Sequence, residues 1–349
     1  MNAYDGIHWN INQILPYQRN FNFINGPRSI GKTYTAQKYI LDKCLNNDIE
    51  FVYIVRTQDE KKHYALQDAF KKVTSKEFSN YSFRYDSEYM YVCVESNNKI
   101  IAKRIVGYCI ALSEAQKIKT KSYPKVKYIL FDEYMVEESS GNKYINGWKE
   151  PELLLSIYHT IDREEDRVVV FAMGNNTKFH NPYHMHPAFN IKPVGPGKIS
   201  LSKNTLFQNA QTPKELKLLK DKSEFIQMIN NTEYGSYAKD GEYYLDDYNF
   251  IREIKVPTRY SFTIIYDGEK YGVYSSQSEG LIYISDKIDP SCYFVYALTL
   301  SDHSENTMLT KGVQSSHLKW LAKNYKLGNV RYINMKVKTK IEKGIYLLL

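Results

Sequence analysis

The sequence predicts an α/β protein: a domain built on a parallel central sheet, followed by a smaller α+β domain. Three observations carry that reading. Through the first half of the chain, short apolar runs alternate with helical stretches, as βαβ units require. A glycine-flanked turn, Gly26 to Thr33, stands between one such run and the helix after it. Beyond Asn181 the texture changes to Pro and Gly, and from Tyr260 to β-rich runs separated by turns. A length of 349 residues fits two domains of ordinary size.

Taken in order, Phe21 to Asn25 reads as a short buried strand and Lys32 to Cys44 as the helix it feeds. Phe51 to Arg56 is a second strand, with a charged helix from Glu60 to Val73 behind it. From Phe83 to Leu112 short alternating runs with turn residues at Asn97 and Asn98 suggest an antiparallel insertion. Tyr128 to Phe131 and Val168 to Ala172 supply two more core strands, separated by a helix over Glu152 to Ile161. Pro182, Pro187, Pro193, Gly195, Pro196 and Gly197 then break any long element. Residues from Pro213 to Asn230 read as helical and Lys-rich. The runs YSFTIIYDG, EKYGVYSS, GLIYISD and CYFVYALTL form a meander, with terminal helices after it. The expected divisions are 1–200, a linker or small helical subdomain over 201–245, and 246–349.

Composition narrows the class. With 43% hydrophobic and 25% charged residues the chain can bury a core, which excludes disordered and fibrous readings. No apolar run approaches the roughly 18 residues of a membrane helix. The first residues lack the basic-then-apolar order of a secretion signal. Cys44, Cys93, Cys109 and Cys292 are far apart with no CxxC pair, which argues against a zinc site or a disulfide scaffold and fits a reducing compartment. The formal charge of +8 is local: from Lys311 to Leu349 there are nine basic residues and one acid, so the remainder is neutral. A basic C-terminal segment of this kind is a candidate polyanion surface, and equally a solvated charged face.

The string Gly26-Pro27-Arg28-Ser29-Ile30-Gly31-Lys32-Thr33 fits GxxxxGK[ST] in full, with a strand before it and a helix after it. Backbone N–H groups in such a loop point at phosphate oxygens, and the helix N-terminus adds its dipole. Lys32 is expected to bridge the β- and γ-phosphates of ATP, and the Thr33 hydroxyl to ligate Mg2+. One hundred positions after Lys32, the apolar strand Tyr128-Ile129-Leu130-Phe131 ends in Asp132-Glu133. Asp132 is placed for the magnesium shell and Glu133 to polarise an attacking water. A glutamate beside the magnesium aspartate favours hydrolysis over phosphoryl transfer to a second substrate. The pair assigns the chain to the additional-strand, catalytic-glutamate branch of P-loop ATPases. That branch carries a polar sensor on the next strand, for which Asn175 qualifies.

Three basic features stand apart from this set. Arg163, in the charged run Asp162 to Arg167, is a candidate finger acting on a neighbouring subunit's nucleotide, preferred over Arg167 because Arg167 adjoins the strand. Five lysines between Lys117 and Lys127, among them Lys119 and Lys121, mark an exposed loop for nucleic acid or an adjacent active site. Near the C-terminus, Lys319, Lys323, Arg331, Lys336 and Lys338 are candidate phosphate contacts. A ring ATPase of the helicase or recombination type shares the first-domain features but should carry further motifs.

The strings FINGPRSIGKT, KSYPKVKYILFDE, DREEDRVVVFAMGNN followed by NPY, NNTEYGSYA, and GLIYISDKIDPS with VYALT together resemble the DNA-packaging ATPase of phi29-like small tailed phages, in similar order from about Ile14 to Thr310. The resemblance implies a homomeric ring, five subunits in that group, that docks on the procapsid portal through a structural RNA and drives double-stranded DNA inward. It places the protein in the host cytoplasm and transiently at the portal vertex. By position it implies Lys32 and Thr33 in the phosphate loop, Asp132 and Glu133 as the hydrolytic pair, Asn175 as sensor and Arg163 as finger. It also implies that the second domain is an RNase H-like fold descended from a nuclease. Asp246, Asp247, Asp267, Glu279, Asp286 and Asp302 show no recognisable metal-binding spacing, so cleavage is expected to be lost and nucleic-acid binding kept.

Overall fold

The computed structural model describes residues 7–62, 65–96, 99–136, 143–176, 181–192, 194–229, 250–309 and 315–348. The chain divides into two units, Met1–Tyr244 and Leu245–Leu349.

The first unit is organised by a nine-stranded sheet. Its strands are β1 (Phe21–Gly26), β2 (Glu50–Val55), β3 (Ser82–Tyr85), β4 (Tyr89–Ser96), β5 (Lys99–Ala111), β6 (Val126–Asp132), β7 (Val169–Asn175), β8 (Ile199–Leu201) and β9 (Thr205–Asn209). They lie in the order β3-β4-β5-β2-β6-β7-β1-β9-β8. The six from β5 to β9 run parallel, and antiparallel strands close both ends. Parallel strands need covering helices on their faces; these include α1 (Lys32–Asn47), α2 (Gln58–Lys62), α3 (Ala65–Glu77), α4 (Glu150–Asp162) and the short α5 (Pro182–Met185). Two further helices, α6 (Lys214–Lys220) and α7 (Glu224–Ile229), follow β9.

Why β1 sits centrally can be read from its burial: all six residues are buried, and its two buried asparagine side chains have partners. Asn22 Nδ2 donates to the carbonyls of Arg19 and Val170. Helix α1 turns Ala36, Ile40, Leu41 and Cys44 inward at helical spacing. They join Phe51, Phe70, Leu130 and Phe171 in one core. Strand β7 lies between β1 and β6, so the strand leading into the phosphate loop and the acidic strand are not neighbours. Its last residues touch both: Asn175 registers with Gly26 and Met173 with Asp132.

The second unit holds a six-stranded sheet of β10 (Arg259–Tyr266), β11 (Glu269–Ser276), β12 (Leu281–Ser285), β13 (Val295–Ala297), β14 (Met308–Leu309) and β15 (Val330–Tyr332) in the order β14-β13-β10-β11-β12-β15. β10, β11 and β12 form an antiparallel meander. β13 and β14 continue the sheet in parallel on one side, and β15 pairs parallel to β12 on the other. Helices α8 (Ser316–Lys326) and α9 (Met335–Tyr346) bury Leu318, Leu321, Val337, Ile341 and Ile345 in a core with Phe262, Ile264, Val273 and Ile284.

Two expectations are corrected. The first domain does not end at residue 200, because Thr205–Asn209 is buried throughout and pairs parallel with β1. The charged helix behind β2 is described on either side of residues 63–64, as α2 and α3, and it runs past Val73 to Glu77. Among the described residues no helix is long and apolar enough to cross a membrane.

Candidate active site

At the C-terminal ends of β1, β6 and β7 a cleft of about 910 Å³ opens, lined among others by Ser29, Gly31, Lys32, Thr33, Asp132, Glu133 and Asn175. The chain leaves β1 at Gly26, turns through Ser29 in the left-handed region (φ 59°) and enters α1 at Gly31 with φ 94°. Gly31 is required twice over: that φ strains any L side chain, and a Cβ would lie 3.0 Å from the Cβ of His8. The amino-terminal strap holds the loop from outside. The Trp9 amide donates to the Ile30 carbonyl at 2.8 Å, and its buried indole N–H donates to Gln208 Oε1 at 3.0 Å.

Lys32 is buried and its ammonium donates to the carbonyls of Gly26 and Pro27, both at 2.8 Å. Burial pushes its pKa down to about 7, an effect that Asp132 opposes and that Lys220 and Arg28 reinforce. Lys220 of α6 lies near enough to donate to the Arg28 carbonyl at 2.6 Å. Thr33 Oγ1 donates to Asp132 Oδ1 at 2.9 Å. Burial raises the Asp132 carboxyl to about 6; Thr33 opposes this and the Glu133 charge adds to it. Both shifts belong to a cleft in which cation and anion charges are shielded from water. A hydroxyl and a carboxylate facing each other at the loop are the hard oxygen donors that Mg2+ prefers, so the residues present fit that ion.

Glu133 is exposed, sits at the end of β6 and takes a left-handed φ of 55°. That turn is held by a residue the sequence reading passed over. Arg56, just past β2, donates from Nε to both oxygens of Glu150 (3.1 and 3.2 Å), from one terminal nitrogen to the Glu133 carbonyl (2.9 Å) and from the other to the Tyr134 carbonyl (2.5 Å). Glu150 is fully buried and also accepts from the Tyr183 hydroxyl at 2.8 Å and the Ile145 amide at 2.5 Å. Tyr134 lies beneath the site. Its hydroxyl donates to Asn25 Oδ1, which makes it the acceptor for His184 Nε2 at 2.6 Å. A side chain at Gly174 would meet Tyr134 at 2.8 Å, so the last turn of β7 closes directly on this layer. The only sequence signal for Arg56 and Glu150 was a lone arginine ending a strand and an acid opening a helix.

The remaining candidates lie elsewhere. Arg163 is exposed and caps α4 with φ 53°, in the loop that precedes β7. Six residues of β7, about 20 Å of strand, separate the start of that strand from Asn175 in the cleft. Arg167 is engaged locally: its guanidinium donates to the Val126, Tyr123 and Ile161 carbonyls and pairs with Glu165. Lys121 pairs with Glu88 at 3.7 Å, whereas Lys119 is exposed. In the second unit Lys319, Lys323 and Lys336 are exposed. Lys338 is a correction: it is buried and pairs with Glu342 one helical turn on at 2.8 Å. Arg331 donates to the Gly328 and Val330 carbonyls and lies over the Phe250 ring, so it is also committed within the fold.

A parallel sheet, a phosphate loop between β1 and α1, and an acid pair ending β6 define an α/β protein of the phosphate-loop class. Comparison with known proteins narrows this. The family model for the podovirus DNA encapsidation protein (Gp16) matches residues 4–346, and the chain belongs to that family. The DNA packaging protein of Bacillus phage phi29 is 29% identical over 335 residues, covering 95% of each chain; that of Bacillus phage PZA is 28% identical over the same span. A chain from the bacteriophage Phi-29 viral genome packaging motor assembly superposes with a TM-score of 0.68 at 27% identity, covering 98% of this chain and 100% of that one. Membership makes this a phage DNA-packaging motor protein driven by ATP.

Proposed function

We propose that ATP is hydrolysed in this cleft and that the reaction drives double-stranded DNA into a procapsid. The observation that carries the reading is the convergence of Lys32, Thr33, Asp132, Glu133 and Asn175 at the ends of three adjacent strands. Loop amides from Arg28 to Thr33 and the α1 N-terminus hold the phosphates, with Lys32 recharged between the β- and γ-groups. Thr33 and Asp132 hold Mg2+, which supplies neutralisation of the oxygens of the transferring group. Glu133 takes the proton of an attacking water whose oxygen bonds to the γ-phosphorus, while the bond to the bridging oxygen breaks and ADP leaves with that electron pair. Asn175 orients the water or contacts the γ-phosphate. The position of β7 between β1 and β6 supports placement in the additional-strand, catalytic-glutamate class.

Arg163 serves a neighbour's cleft. It stands at the edge of the sheet from which β7 starts, opposite its own nucleotide, and its exposed place in a tight turn suits a residue presented outward. Lys119, exposed in the connection that Arg167 ties to this loop, is the second candidate at the same edge. Family membership supports assembly at the portal, and a homomeric ring with a structural RNA as adaptor would account for both. In the second unit the run β12-β11-β10-β13-β14, three antiparallel strands followed by two parallel ones, supports an RNase H-like origin. Two of its carboxylates have structural roles: Asp302 accepts from the Asp267 and Gly268 amides, and Glu279 pairs with Arg252. Among the described residues no group of acids, histidines and cysteines could hold a metal, and Asp246 and Asp247 lie outside them. The exposed Lys319, Lys323 and Lys336 are the candidates to meet phosphate backbones.

The test is Glu133→Gln. ATP affinity should stay within about twofold of wild type and hydrolysis should fall at least about tenfold, since the cradle remains and the base is lost. Near-normal turnover in single-turnover assays sinks the assignment. A helicase-type motor is the alternative that duplex unwinding in place of packaging would favour.

A further inference from the structure

The cleft continues past the phosphate loop along α1 and α3. Beyond Tyr34 its wall is formed by Lys38 of α1 and by Lys72, Lys76 and Glu77 of α3. Tyr34 is the hub. Its hydroxyl donates to Glu77 Oε1 at 2.5 Å, Lys38 pairs with the other oxygen of that carboxylate, and the ammonium groups of Lys72 and Lys76 each lie 5.9 Å from the ring centroid. Burial pushes the Glu77 carboxyl up, but Lys38, Tyr34 and Lys76 outweigh it and hold the group below its usual range. Three ammonium charges against one carboxylate leave an excess of two positive charges at this wall. Nothing in α3 demands them for folding: its buried positions are Leu66, Phe70, Val73 and Thr74, while Lys72 and Lys76 are exposed.

We infer that this annex is a second anion subsite and that it receives inorganic phosphate, the product formed beside Asp132 and Glu133. The inference rests on ATP hydrolysis in the same cleft. Loop amides and Lys32 already account for the nucleotide's own phosphates, so the added charge is free for a further anion. The annex and the hydrolytic pair line one cleft, so a phosphate leaving the γ position has the annex lysines beside it. Ammonium groups paired with an aromatic ring retain donors for phosphate oxygens, and charge-assisted bonds of that kind are the strong ones.

The experiment is calorimetric titration of inorganic phosphate into the full-length chain saturated with ADP and magnesium, comparing wild type with Lys72→Gln/Lys76→Gln. Both positions are exposed, so the double variant should fold. Phosphate affinity is expected to fall about fivefold or more in the variant, with ADP affinity within about twofold of wild type and with phosphate product inhibition of turnover weakened in parallel. Equal phosphate affinity in the two proteins overturns the inference. So does a matching loss of ADP affinity, which would assign the lysines to the nucleotide, and so does a loss of DNA affinity with phosphate binding intact. Failure of wild type to bind ADP at all would instead remove the hydrolytic reading beneath it.

Discussion

Arg56→Ala should cost both stability and turnover, and a second substitution should pull the two losses apart. In the folded chain every guanidinium nitrogen is used: Nε for both oxygens of Glu150, the two terminal nitrogens for the Glu133 and Tyr134 carbonyls at 2.9 and 2.5 Å. Glu150 is fully buried, and burial already raises its pKa, with Arg56 the largest opposing influence. Removing the guanidinium strands that carboxylate with, among the described residues, only the Tyr183 hydroxyl and the Ile145 amide, a loss of about 3–5 kcal/mol for a broken buried pair. Arg56→Ala/Glu150→Gln takes away the stranded charge and should return to within about 2 kcal/mol of wild type in urea unfolding. Turnover should not return. The Glu133 turn has lost its clamp, and a displacement of about 1 Å at a reacting group costs on the order of a hundredfold. Steady-state ATP hydrolysis measured beside the unfolding curves decides the matter. If the double variant recovers turnover together with stability, Arg56 is only a counter-ion and the positioning argument is wrong.

Lys32, held near a pKa of about 7 by burial, should take up a proton when ATP binds at pH 8 and almost none at pH 6; calorimetry in two buffers of different ionisation enthalpy reads the count, and Lys32→Met should abolish it. Between pH 7 and its ordinary value of 10.5 the folded cleft binds fewer protons at this group than the unfolded chain does, so Lys32 makes the empty protein more stable as pH rises through that window. Mixing Arg163→Ala with Lys32→Ala subunits should restore part of the DNA-stimulated hydrolysis that each lacks alone, because one interface then holds an intact cleft and an intact finger; full activity in Arg163→Ala by itself would move the role to Lys119.

The parts of the site that could be read from the sequence are those whose residues are neighbours in the chain. Eight consecutive positions make the phosphate loop, and two make the acid pair, so their chemistry shows in a single string. The Arg56, Glu150 and Tyr183 cluster is different: its members are 94 and 33 positions apart and meet only because β2 lies beside β6 and because α4 and α5 meet near the same strand ends. Nothing in the local pattern marks them. Strand β9 escaped notice for a related reason, since TLFQN is short, follows a Pro and Gly stretch, and becomes a strand through its pairing with β1. In the last helix Lys336 and Lys338 both counted as candidate phosphate contacts. Helical geometry instead turns Lys338 inward beside Val337 and Ile341, where Glu342 meets its charge.

The left-handed backbone at Glu133 has a consequence for how this motor can change over time. A residue with a Cβ in that conformation gives up roughly 1 kcal/mol that glycine would keep, and asparagine tolerates it better than glutamate does. With Glu133 as the proposed base, drift judged only by foldedness would push this position away from glutamate, toward sturdier proteins without their engine. Only the need to fill capsids holds it in place. Anyone stabilising the protein by selecting for heat resistance should expect the catalytic turn to be among the first sacrifices.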